Sequence, residues 1–94
     1  MDVREQQLVH LERLDKELAS RGFAVEAVSK ISKPYLIVAN AGTPQLNERV
    51  QCLRSEDGSW SFWWPWKQPI GSVDDLETVI GKIAVVLRPV DGDQ

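Results

Sequence analysis

The chain contains one cysteine, Cys52, and one histidine, His10. A lone thiol cannot close an internal disulfide, and a lone thiol with a lone imidazole cannot supply the ligand set of an ordinary zinc site or a conventional catalytic triad. The six glycines are scattered singly, so no glycine-rich phosphate loop is present. Long apolar runs are missing too. "YLIVA" and "IAVVL" stop far short of the roughly 20 residues that span a bilayer, and "MDVREQQ" has none of the apolar segment of a secretory signal. There is also no basic excess: eleven Lys and Arg face fourteen Asp and Glu, for a net charge of −3. Such a balance provides no general attraction to phosphate backbones. The expectations are a cytoplasmic protein with no membrane or nucleic-acid partner, no cofactor, no metal and no catalytic residue.

At 94 residues, 43% of them apolar and 27% charged, the chain has the composition of an ordinary globular protein and the length of one domain, residues 1–94. Two helical signatures sit at its ends. In the first, predicted over residues 2–21, Leu8, Leu11, Leu14 and Leu18 recur at three- and four-residue steps, giving one apolar stripe on a charged helix. Glu12 with Lys16, Arg13 with Glu17 and Glu17 with Arg21 are spaced for exposed ion pairs, and Gly22 is placed to end the helix in a left-handed conformation. The second helix is predicted over 72–88, with Ser72 as N-cap and Asp74, Asp75 and Glu77 near the positive end of its dipole. Leu76, Val79, Ile80, Ile83 and Leu87 form its stripe. Val85 and Val86 widen that stripe and suggest deep burial, while Gly81 suggests close approach to another element. Pro89 ends the helix, and the tail 89–94 is expected to fray.

Between the helices, "FAVEAV", "YLIVA", "ERVQCLR" and "SWSFWW" read as four strands within residues 23–64. Asp57-Gly58 signals a tight hairpin between the last two. The predicted fold is α+β: a four-stranded antiparallel meander sheet flanked by N- and C-terminal helices, in the order α-β-β-β-β-α, with both helices on one face. A two-residue turn at Asp57-Gly58 places Leu53 with Trp60, Phe62 and Trp64 on the covered face. It leaves Val50, Cys52 and Trp63 on the reverse face, where a patch of that size calls for a partner or a second copy.

All four tryptophans fall within "WSFWWPW", residues 60–66. Trp60, Phe62 and Trp64 suit a core, since each aromatic buries a large area. Trp66, between Pro65 and Lys67, lies where a regular ladder cannot continue and is expected to be exposed. The candidate binding set is therefore Trp63, Trp66, Val50, Cys52 and Lys67. The carboxylates of Asp74, Asp75 and Glu77 are accounted for by the helix start, and Cys52 has no histidine base in view.

The stretch formed by Asp57, Gly58, Trp60, Phe62, Trp63, Trp64, Trp66, Pro69, Ile70 and Gly71 resembles a "DGxWxFWWxWxxPIG" pattern of small uncharacterised actinobacterial proteins, weakly extended to "VAN" at 38–40 and to the final helix. That resemblance implies a bacterial cytosolic setting and carries over no catalytic or binding residue. The helix and strand pattern is also similar, at the level of fold alone, to dimeric bacterial secretion chaperones. Two functions are in view. One is a non-catalytic protein-interaction module, adaptor- or chaperone-like and a homodimer, that binds through an aromatic sheet face. The other is a small-molecule or carbohydrate-binding module in which Trp63 and Trp66 form a stacking floor beside Gln51, Lys67 and Gln68.

Overall fold

Leu11, Leu14 and Leu18 fall on one side of helix α1 (Val3–Ser20) and are almost wholly buried, whereas Leu8 at the start of the same stripe remains 37% exposed. The computed structural model describes residues 3–28 and 34–88. The helix ends as its sequence implies: Gly22 has φ +92°, and its N–H donates to the Ala19 carbonyl at 3.1 Å. Of the three ion pairs anticipated along the first helix, Glu17 with Arg21 forms, at 3.8 Å, and Arg21, in the turn just after α1, also reaches Glu77 of the second helix at 2.6 Å. Asp2, the expected first helical residue, the segment 29–33 between the first two predicted strands and the tail 89–94 lie outside the described residues.

Five strands follow, not four: β1 (Phe23–Val28), β2 (Tyr35–Asn40), β3 (Thr43–Arg54), β4 (Trp60–Trp63) and β5 (Pro69–Ser72). They form one antiparallel sheet in sequence order. The fold is α+β, with helix α2 (Leu76–Val86) completing it. β5 lies where the sequence suggests only a connection, because "PIGS" has no alternation and contains two residues that weaken strands. Its strand geometry comes from pairing with β4: Phe62 opposes Gly71 and Trp63 opposes Pro69, with an irregularity between the two pairs.

β3 is also longer than "ERVQCLR". The β2–β3 connection is a two-residue turn at Ala41-Gly42, held by the Asn40 carboxamide oxygen, which accepts from Gly42 N–H at 2.8 Å and Thr43 N–H at 3.0 Å. Pairing then jumps from Asn40 with Thr43 to Ala39 with Asn47. Pro44 falls in this bulge, where its missing N–H breaks no ladder bond, and Asn47 donates back to the Pro44 and Gln45 carbonyls. The Asn40 Nδ2 donates to the Leu87 carbonyl at 3.0 Å, so this turn also ties down the end of α2.

Helix α2 begins later than predicted. Its N-cap is Asp75, whose side chain accepts from Thr78 N–H, while Ser72 ends β5 and its hydroxyl accepts from Asp74 N–H in the preceding turn. The close approach expected at Gly81 occurs instead at Gly71. A Cβ there would sit 3.0 Å from the Val79 side chain, whereas a Cβ on Gly81 would meet nothing within 4 Å.

One core results. Leu11, Leu14 and Leu18 of α1 and Val79, Ile80 and Ile83 of α2 join Leu36, Val38, Val50, Cys52 and Phe62 in a single buried cluster. The register explains that set. Leu36 opposes Val50 and Cys52 opposes Phe62, and directly opposed residues share a face.

Candidate interaction surfaces

The positions of the aromatic residues from Trp60 to Trp66 follow from two tight turns. Gly58 N–H donates to the Ser55 carbonyl at 2.9 Å and Ser55 N–H to the Ser59 carbonyl at 2.8 Å, with Gly58 at φ +88°. This is a three-residue hairpin loop closed by a left-handed residue, not a two-residue turn. The Asp57 carboxylate braces it by accepting from both Ser59 N–H and Ser59 Oγ, bonds that hold its acidity above that of an ordinary aspartate. One extra loop residue shifts the pairing by one, and a shift of one exchanges the two faces. Leu53 therefore opposes Ser61 on the open face, and Cys52 opposes Phe62 in the core. Val50 and Cys52, expected on the exposed patch, are corrected to core residues at 0% and 1% exposure.

The second turn repeats the first. Lys67 N–H donates to the Trp64 carbonyl at 3.1 Å and Trp64 N–H to the Gln68 carbonyl at 2.9 Å, with Lys67 at φ +64° in the position that Gly58 holds in its turn. Lys67 is thus placed at an exposed hairpin tip by its backbone role. Trp66 projects from the same tip, 51% exposed. Its ring stacks on that of Trp64 at 5.2 Å and 6°, and its Nε1 donates to Gln68 Oε1 at 2.9 Å. Trp64 itself is 5% exposed and belongs to the core on the helix side.

Trp63 points the other way. It opposes Gln51, which in turn opposes Tyr35, so these three form a row across the face that carries no described helix. Ile37 and Leu53 flank the row, half-buried like Trp63, yet none of the three is among the residues packed against the core. The Arg49 guanidinium lies 5.1 Å from the Tyr35 ring centre. The Trp63 Nε1 is buried and has no hydrogen-bond partner, a donor left over on this face. Trp63 and Trp66 therefore belong to opposite sides of the sheet and cannot form a common stacking floor.

A second apolar area lies beside Trp66, in an open groove of about 480 Å³ between the β4–β5 hairpin and α2. Val85 and Val86 border it at 64% and 43% exposure, so the deep burial expected of them is corrected: they continue the apolar composition of α2 around its outer side. Lys82 is its only charged lining residue. The sequence reading missed Tyr35 and Leu53 as surface residues; the alternation of Val50 and Cys52 with Arg49 and Gln51 was the signal that could have found the face.

Burial pushes the Cys52 thiol up to about 12, which keeps it protonated and unreactive at neutral pH. Burial, reinforced by Arg13, lowers the His10 pKa, and its ring lies 5.4 Å from Trp60 with Nδ1 buried and unpartnered. Trp60 Nε1 donates to Gln6 Oε1 at 3.1 Å, and Gln7 Nε2 to the Cys52 carbonyl at 2.9 Å, so His10 and its neighbours fasten α1 to the sheet. Among the described residues, no three His, Cys, Asp or Glu side chains come together as a metal would require, and no helix is long and apolar enough to cross a membrane. No protein-family model, curated protein or solved structure matches the chain.

Proposed function

We propose that the chain is a non-catalytic protein-interaction module of adaptor or chaperone type, which docks another polypeptide on the open face of its sheet. The observation that carries the reading is the segregation of the helices: both contribute to the core on one side, leaving Tyr35, Ile37, Leu53 and Trp63 on the other. Aromatic residues at the centre of an interface commonly supply most of its energy, and the half-buried Trp63 lies in the middle of this face. A bacterial cytosolic setting belongs to the same proposal and rests on the "DGxWxFWWxWxxPIG" resemblance.

The test is photo-crosslinking in intact host cells from a benzophenone side chain at Ile37 or Leu53, with outward-facing Lys16 as control. A discrete adduct of defined mass from the two sheet positions, lost on Trp63→Ala and not formed from residue 16, supports the reading. Equal crosslinking from all three positions, or none from the sheet, overturns it.

A carbohydrate- or small-molecule-binding reading is favoured by one observation, the exposed outer face of Trp66, stacked on Trp64 beside Gln68, Thr78 and Lys82. A saturable change in tryptophan emission on adding oligosaccharides, abolished by Trp66→Ala and unaffected by Trp63→Ala, would put this reading first.

A further inference from the structure

The two edges of the sheet are protected very differently. β5 is four residues long, begins with Pro69, pairs irregularly with β4 and has α2 packed closely at Gly71. Short length, proline and irregularity are the usual ways of keeping an edge from pairing with another chain. β1 has none of these three, although α1 packs against its covered side as α2 packs against β5. It is six residues long, pairs with β2 without a register shift, and contains neither proline nor lysine. Nothing among the described residues pairs with its outer edge. Its helix-side residues Phe23 and Val25 pack against the core yet stay partly exposed, so the core is incomplete at this edge. We infer that β1 pairs antiparallel with β1 of a second copy, joining two sheets into one of twice the width.

Side-chain alternation restricts how this can happen. In a two-fold pairing that keeps the helices of both copies on one side, opposed residues must come from the same face of the strand, so the axis passes through a residue and not between two. An axis at Glu26 would set its carboxylate against that of its mate, a like-charge pair that destabilises a sheet. An axis at Val25 avoids that clash: it opposes Val25 to its mate, Phe23 to Ala27, and Ala24 to Glu26. Glu26 is the only charged residue of β1, is exposed and makes no ion pair among the described residues. Ala24, also exposed, leaves room beside it. Of the two axes that pair five residues of β1, at Val25 and at Glu26, only the one at Val25 is free of that clash, and it places the open faces of both copies on the same side. This inference is independent of what docks on that face.

Sedimentation of the full chain over a range of concentrations, with circular dichroism as the folding control, tests it. The parent is expected to dimerise. Ala24→Lys creates two symmetric Lys–Glu pairs and tightens the dimer by about two- to thirty-fold, the range for two cross-strand charge pairs. Ala24→Glu weakens it by a similar factor, and the double variant Ala24→Glu with Glu26→Lys restores it. Both positions are exposed, so folding should survive every change. A parent that stays monomeric at all concentrations overturns the pairing and leaves the open-face proposal standing. A dimer insensitive to residues 24 and 26 but lost on Trp63→Ala also overturns it, and shows that the open face itself is the dimer contact.

Discussion

Phe62 and Trp63 are neighbours in sequence and opposite in circumstance. Phe62 is fully buried in the core beside its cross-strand neighbour Cys52, whereas Trp63 lies half-buried on a face where its indole N–H finds no acceptor. The larger aromatic is the one left outside. Size alone therefore does not determine which aromatic enters the core; hairpin register does. Phe62 shares a face with Val50 and Cys52, Trp63 with Gln51 and Leu53, and the helices cover the first set.

The strongest way to break this comparison is to truncate both residues. Phe62→Ala should cost about 3–5 kcal/mol, the loss typical of a buried phenylalanine, and should leave a marginal domain largely unfolded. Trp63→Ala should cost about 1 kcal/mol, the centre of the range for single substitutions. Urea melts of both variants decide the matter; equal losses would mean that the open face is as much core as the covered one.

The two turns offer a finer test, because they fix the register that separates the faces. Gly58 and Lys67 hold equivalent left-handed positions, but only glycine adopts that conformation without strain. Gly58→Ala should destabilise by about 1–2 kcal/mol. Lys67→Gly should stabilise by up to about 1 kcal/mol, the relief of strain less the entropy cost of glycine. Thermal melts that moved both variants in the same direction would contradict the equivalence of the turns.

The smallest effect concerns pH. His10 lies on the covered side with its pKa lowered by burial and by Arg13, so the folded state favours the neutral ring. A group depressed in this way contributes stability that is present above its ordinary value of 6.5 and is lost as pH falls through the lowered one. Asp57, Asp75 and Glu77 are lowered as well, by bonds to Ser59, Thr78 and Arg21, and act in the same direction at more acid pH. The unfolding midpoint should therefore decline slightly from pH 7 to 5, and His10→Gln should flatten that decline without affecting the further loss below pH 4.

Much of this architecture is legible in the chain. The leucine stripe of α1, Gly22, and the alternation of "FAVEAV" correspond to elements that form. What escaped has local causes. Ser72 and Asp75 are both good caps, and only the Ser72 to Asp75 turn that follows β5 decides between them. β5 has no strand composition of its own and exists because β4 has a free edge. Asp57-Gly58 suits a two-residue turn as well as the last positions of a three-residue one, and that single residue moved Val50 and Cys52 from the candidate surface into the core. The exposed Val85 and Val86 also escaped, since an apolar helix reads as buried whether or not a neighbour is there to cover it.

Thiol reactivity tests the assignment of faces most directly, because Cys52 is the only cysteine and its neighbour Gln51 points to the open side. Under native conditions, at a concentration low enough to disfavour association, the parent should resist an aromatic disulfide reagent until denaturant is added. The double variant Gln51→Cys with Cys52→Ala should react at once while giving an unchanged circular dichroism spectrum. Rapid labelling of native Cys52 together with protection of the thiol at position 51 would show that the faces are exchanged and contradict the account.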